Sequence, residues 1–127
     1  MKYLSALFAF LIVLGTNSFA STKIILEDNK DHYTQTETGY ILHFKLVATS
    51  EELATINSSV ANLADRLTLV TSPSDASTFD CVFTVDHQNQ PEYVYKMLLS
   101  IGITTIEHKG SVLPLDKIVE ILYAYQQ

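Results

Sequence analysis

Gly39-Tyr40-Ile41-Leu42-His43-Phe44-Lys45-Leu46-Val47-Ala48-Thr49-Ser50-Glu51-Glu52-Leu53 is the stretch from which the fold is read. Leu42, Phe44 and Leu46 fall on one side of an alternating pattern, and Ile41, His43 and Lys45 fall on the other. A period of two predicts a strand with one buried face. Thr49, followed three residues later by Glu52, reads as a capping box that opens a helix. Leu53, Ile56, Val60, Leu63 and Ala64 then recur at helical spacing, which predicts an amphipathic helix to about Asp65.

Downstream the pattern repeats with variations. Arg66–Thr71, with Leu67, Leu69 and Val70, reads as a short strand, and Ser72-Pro73-Ser74-Asp75 as the turn after it. Phe79–Asp86 alternates as strongly as the first strand. It carries Cys81 on the same side as Phe79, Phe83 and Val85, where a free thiol behaves as a small buried hydrophobe. Gln90-Pro91 opens a second helix with proline in its first turn. Val94, Met97, Leu98 and Ile101 form the apolar stripe of that helix, and Gly102 suits a left-handed C-terminal cap. Ile103–His108 reads as a strand. A turn at Lys109-Gly110 leads to Leu113-Pro114 and a last helix with Leu115, Ile118, Val119 and Leu122. This order predicts an α+β chain: a ferredoxin-like split βαβ sandwich (βαββαβ), its four-stranded antiparallel sheet covered by helices on one face, plus a C-terminal helix.

Toward the N-terminus, Lys23-Ile24-Ile25-Leu26 is a short β-like run followed by a polar stretch to Thr38. Residues 21–38 are therefore expected to be an N-terminal arm or edge strand ahead of the domain at 39–127. Residues 1–20 combine Lys2, an apolar run to Leu14 and the small-x-small ending Ser18-Phe19-Ala20, the pattern of a secretory signal peptide cleaved after Ala20. The apolar run is shorter than the roughly 20 residues a membrane span needs. The expected product is exported, periplasmic or secreted, without stable membrane insertion.

Residues 39–110 resemble the heavy-metal-associated domain of metallochaperones and metal-pumping ATPases. The likeness lies in the strand spacing, the loop Ala48-Thr49-Ser50 before the first helix, and Met97-Leu98-Leu99-Ser100-Ile101-Gly102-Ile103. The resemblance implies the same sandwich. The family's Met-x-Cys-x-x-Cys loop holds a soft ion through two thiolates. Here that stretch reads Val47-Ala48-Thr49-Ser50-Glu51-Glu52-Leu53, without Cys, His or Met, so thiolate metal transport is not implied.

The rest of the chemistry narrows by elimination. A net charge of −6 and a single arginine, Arg66, leave no basic patch to neutralise phosphates, which argues against nucleic acid as a partner. One cysteine makes an intramolecular disulfide impossible. His32, His43, His87 and His108 show no metal-ligand spacing. His43 lies on the outward strand face and His87 and His108 at strand ends, and these three are the candidates if imidazoles replace the missing thiols. Asp86 and His87, being adjacent on a strand, point to opposite faces. Asp28-Asn29-Lys30-Asp31 lacks the ligand pattern of a calcium loop. No Gly-x-Ser-x-Gly elbow is present, and the four glycines are too dispersed to cradle phosphate. Glu51 and Glu52 are accounted for by helix capping and the helix dipole.

The expectation is a non-enzymatic domain without a cofactor. What remains is the sheet face away from the helices, where Ile41, His43, Lys45, Val82, Thr84, Thr105 and Glu107 are expected side by side. Either this face is open for docking another envelope protein or a second copy, or the C-terminal helix or the Ile24–Leu26 arm folds over it. The alternative function is a metal- or small-ligand-binding module using histidines in place of cysteines.

Overall fold

The computed structural model describes residues 22–126. The expected signal peptide, residues 1–20, lies outside the described residues. Strand β1 (Lys23–Leu26) is followed by a 3-10 turn at Lys30–His32, then β2 (Tyr33–Gln35), β3 (Tyr40–Val47) and helix α1 (Ser50–Asn62). Next come β4 (Leu67–Asp75), β5 (Thr78–Val85), α2 (Pro91–Ser100), β6 (Thr105–His108) and β7 (Ser111–Pro114). A 3-10 turn at Leu115–Lys117 leads into α3 (Ile118–Tyr125). The chain is α+β, as the sequence predicts. No described helix is long and apolar enough to cross a membrane.

The sheet is larger than the expected four antiparallel strands. Seven strands are ordered β4-β5-β3-β1-β6-β7, with β2 pairing β3 off this path. The main correction is β1. Instead of an arm or edge strand, Lys23–Leu26 is an interior strand, antiparallel to β3 and parallel to β6. Ile24 and Leu26 are fully buried on the helix side. The reason is simple physically: an interior strand satisfies its backbone on both edges, so four residues with two apolar inward side chains suffice to hold it. Alternation over four residues is too short to reveal this in sequence.

Two turns also differ from expectation. Ser72-Pro73-Ser74 does not turn but extends β4 to Asp75, with a register shift between Pro73 and Asp75. Because β4 is an edge strand, a residue without an N–H costs the ladder nothing when its nitrogen faces outward. The turn comes at Ala76-Ser77, where the Asp75 carboxylate accepts the Ser77 N–H at 3.2 Å. Lys109 (φ 53°) and Gly110 (φ 81°) form a two-residue hairpin loop that pairs β6 with β7. Positive φ at both loop residues matches the right-handed strand twist. The strand after that loop was not expected.

Local signals elsewhere hold. The Thr49 hydroxyl accepts the Glu52 N–H at 3.1 Å, and the Glu52 carboxylate accepts the Thr49 N–H at 2.8 Å, completing the capping box. Helix α1 stops at Asn62, three residues short of the expected end, where the Leu63 N–H bonds the Val60 carbonyl. Helix α2 begins with Gln90 as N-cap and Pro91 at its first position. It ends with Gly102 at φ 97°, whose N–H bonds Leu99 O while Ile103 N–H bonds Leu98 O. Those paired bonds satisfy carbonyls the helix end would otherwise leave bare.

The core lies between one sheet face and the helices. Leu42, Leu46, Phe83 and Ile106 from the strands meet Leu98 from α2 and Ile118 and Leu122 from α3, all essentially without solvent exposure. Helix α3 packs against α2, and the Tyr125 ring lies 4.8 Å from that of Tyr33. Burying an Ile or Leu contributes about 1.5–3 kcal/mol, so Ile118 and Leu122 draw the terminal helix into this layer. It does not cover the opposite sheet face. Neither does the Ile24–Leu26 segment, which has become part of the sheet.

Candidate functional site

The sheet face opposite the helices gathers the side chains that strand alternation turns away from the core. On β3 and β5, Ile41 stands across from Thr84, His43 from Val82 and Lys45 from Asp80. Val82 in turn faces Val70 of β4. Toward the other edge, Ile25 of β1 sits across from both Lys45 and Glu107, and Glu107 across from Val112 of β7. Five of the seven expected face residues, Ile41, His43, Lys45, Val82 and Thr84, are thus immediate neighbours. Thr105 and Glu107 share the face but are separated from β3 by Lys23 and Ile25, because β1 intervenes. The sequence reading missed Ile25, Val70 and Val112 on this face.

Its charges are paired internally. Lys23 Nζ contacts Glu107 Oε1 at 2.7 Å, and Lys45 Nζ contacts Asp80 Oδ1 at 3.2 Å. With each partner between about a quarter and just over half exposed, such pairs contribute on the order of 0–1 kcal/mol each to stability. Their larger effect is to neutralise the Lys23, Glu107, Lys45 and Asp80 charges in pairs, leaving the Glu27 carboxylate at one corner of the face. Val70 and Val112 are among the most exposed large apolar side chains, at 64% and 61%.

One corner is concave. Glu27, His32, His43, Val70, Asp80 and Val82 help line a shallow groove of about 310 Å³. The 3-10 turn delivers His32 here: Asn29 caps it by accepting the Asp31 N–H, and Tyr33 then enters β2. The rings of His32 and His43 lie 5.8 Å apart. Glu27 Oε1 approaches His32 Nδ1 to 3.3 Å, near enough for electrostatic attraction once the ring is protonated. The angles do not make a hydrogen bond, and Nδ1 is shielded from solvent with no hydrogen-bond partner among the described residues.

The three histidines named as alternative ligands do not converge. His43 is on the open face. His108 turns to the helix side, where its Nδ1 lies 2.9 Å from the Leu26 carbonyl and its ring meets Tyr125 edge-on. A carbonyl only accepts, so that nitrogen carries the proton. His87 follows β5 at φ 86°, its backbone N–H held by the Asp86 carboxylate at 2.9 Å. That bond, with a second from Thr38, holds the Asp86 carboxyl below its ordinary range. Among the described residues no group of three or more His, Cys, Asp or Glu side chains is arranged to hold a metal ion. His43 instead meets His32, a pairing that strand periodicity could not find because His32 arrives from a turn eleven residues upstream.

Cys81 is buried on the helix side, and burial pushes its thiol up to about 12. It is a packing residue and not a nucleophile at neutral pH. Also on the helix side, the Tyr125 hydroxyl donates to the Asp28 carboxylate and holds it below its usual range, while Tyr33 donates to the Glu27 carbonyl. These bonds tie the segment after β1 to the end of the chain. No family model, no curated protein and no solved structure matches this chain.

Proposed function

We propose that this chain is a non-enzymatic binding module, exported to the cell envelope, that docks another envelope protein on the open face of its sheet. The reading treats the fold as a ferredoxin-like core enlarged by β1, β2 and β7. The observation that carries it is that none of the described elements covers this face. The three described helices pack on the other side, the strand charges of this face pair as Lys23–Glu107 and Lys45–Asp80, and Val70 and Val82 stand beside the His32–His43 groove. A surface whose strand charges are paired, with apolar side chains and a shallow concavity, offers a partner desolvation energy with little like-charge repulsion.

The test is a pull-down from envelope extract with the C-terminally tagged protein, run beside a Lys45→Glu, Val82→Glu double variant. A protein retained by the wild type, lost with the folded variant and rebound after purification supports the reading. Equal capture by both proteins, or none by either, sinks it.

One observation favours a second reading, a metal- or small-ligand-binding module that shares the scaffold of heavy-metal-associated domains. The His32 and His43 rings lie 5.8 Å apart in one groove, with the Glu27 carboxylate beside His32; the three are not arranged as a ready-made metal-binding set and would have to close in on an ion. Imidazole and carboxylate suit Zn(II) or Cu(II), and the groove leaves room for exogenous ligands. In this form the reading rests on His43 with His32, while His87 and His108 are left out.

A further inference from the structure

Strand β4 ends the sheet, and nothing among the described strands pairs with its outer side. Exposed edges normally carry charged side chains, prolines or bulges that discourage pairing with another chain. From Leu67 to Ser74 this edge carries no charge, and its one proline and its register shift fall at the far end, at Pro73. Leu67-Thr68-Leu69-Val70-Thr71-Ser72 is left as an undefended run.

The phase of its backbone follows from one bond. The Asp86 N–H donates to the Arg66 carbonyl at 2.8 Å, so Arg66 belongs to a hydrogen-bonded pair with β5. Antiparallel ladders alternate bonded and non-bonded pairs. Thr68, Val70 and Ser72 therefore bond inward to β5, while Leu69 and Thr71 turn their N–H and C=O groups outward. Pro73 has the same phase, so its missing donor also faces out.

We infer that this edge pairs with the same edge of a second copy, antiparallel, about a two-fold axis at Val70. In that register Leu69 of one chain and Thr71 of the other exchange both backbone bonds, so the outward groups of these two residues are satisfied reciprocally; beyond them Leu67 faces Pro73, which has no N–H to give, and the pairing ends there. Val70, 64% exposed in the single chain, meets its own twin in a non-bonded pair, where side chains lie closest. Thr68 faces Ser72.

Charge selects a second copy as the occupant. Each chain carries a net −6, so two copies repel through most of their surfaces. Here the paired runs are neutral, and α1, which packs on β4, has no charged residue after Glu52. At either end Arg66, about half exposed and in only a 3.9 Å contact with Asp65, is brought beside the strand end bearing Asp75 of the other copy. A parallel pairing brings Arg66 against Arg66. The interface is isologous, so the contact closes at two copies. The pairing rests on the β4 backbone and not on docking on the open face, although Val70 also borders the groove of that face, so Thr71→Pro is the variant that separates the two.

The experiment measures mass by light scattering and sedimentation from low micromolar to near-millimolar concentration. It uses protein purified after expression of the full chain. The expected result is a concentration-dependent dimer. Val70→Lys and Thr71→Pro weaken it at least about tenfold, and Val112→Lys on the opposite edge leaves it unchanged. Val70→Cys fixes the register: mild oxidation traps a covalent dimer, and Val112→Cys traps none. Val70 is exposed, so its two variants test the interface even if Thr71→Pro does not fold. A monomer at all concentrations overturns the inference, as does a dimer indifferent to Val70→Lys or one broken by Val112→Lys. A chain that stays monomeric yet binds an extended peptide along β4 also overturns it.

Discussion

Gly39 runs so close to Val85 that a methyl group on its Cα would lie 1.8 Å from the Val85 carbonyl oxygen. Both residues sit at the same end of the β3–β5 ladder, where Gly39 leads into β3 and Asp86 N–H bonds back to Arg66. The obstacle is backbone, which cannot swing aside as a side chain can. The Gly39→Ala variant is therefore expected to lose about 3 kcal/mol of unfolding free energy, read as a drop in urea midpoint at unchanged slope. A loss below about 1 kcal/mol would mean that the strands can separate locally at no great cost.

Ile24 tests the interior placement of β1. It pairs with Leu46 on one side and Ile106 on the other and has no solvent exposure. Ile24→Ala should cost about 3 kcal/mol through lost burial and the cavity left behind, similar to Leu46→Ala in the neighbouring strand. A flexible arm would tolerate the change almost without effect. Equilibrium urea unfolding of the two variants distinguishes the cases.

The contrast between β3 and β1 shows what was legible in the sequence. Eight alternating residues and a Thr49–Glu52 box describe β3 and the start of α1 because each signal is local. The chain order of helices and strands from Tyr40 to His108 follows for the same reason. β1 is decided by long-range pairing: Lys23–Leu26 becomes interior only because β3 and β6 leave a place between them. Pro73 misled because its meaning depends on whether the strand lies at an edge, which is a property of the sheet. The open face was legible through alternation at Ile41, His43, Lys45, Val82 and Thr84. Its groove was not, since His32 and Glu27 reach it from a turn.

That groove gives a specific expectation for metal titration. On the second functional reading, the wild type binds Zn(II) or Cu(II) in calorimetry near neutral pH and that affinity falls to background in His43→Ala and in His32→Ala; no affinity in the wild type ends that reading. Binding should persist in His87→Ala and His108→Ala, whose rings lie elsewhere. Because a ligand that binds only the folded chain raises its melting temperature, thermal shift gives a second readout. Affinity that survives the loss of both His32 and His43 would assign it to another part of the molecule and end the second functional reading.

Cys81 predicts how stability responds to alkali. Its thiol ionises near 9.0 when free, and burial raises this to about 12 in the folded chain, so the native state holds the proton more tightly than the unfolded one. A raised folded value gives a contribution that is complete below pH 9 and is lost as pH rises toward 12. Tyr125, raised from 10.0 to about 12 by burial and by its bond to Asp28, adds loss of the same sign from pH 10 upward. Asp28 acts at the other end: its lowered carboxyl value gives a contribution present above its ordinary range and lost as pH falls through it. Unfolding midpoints measured from pH 8 to about 10.5 should therefore fall for the wild type. They should fall less steeply for Cys81→Ala, which starts lower because of its cavity. Thiol-specific labelling at pH 8 should be slow in native buffer and fast in urea. Parallel pH slopes for wild type and variant, or rapid labelling of the native chain, would show that Cys81 is not held neutral in the core.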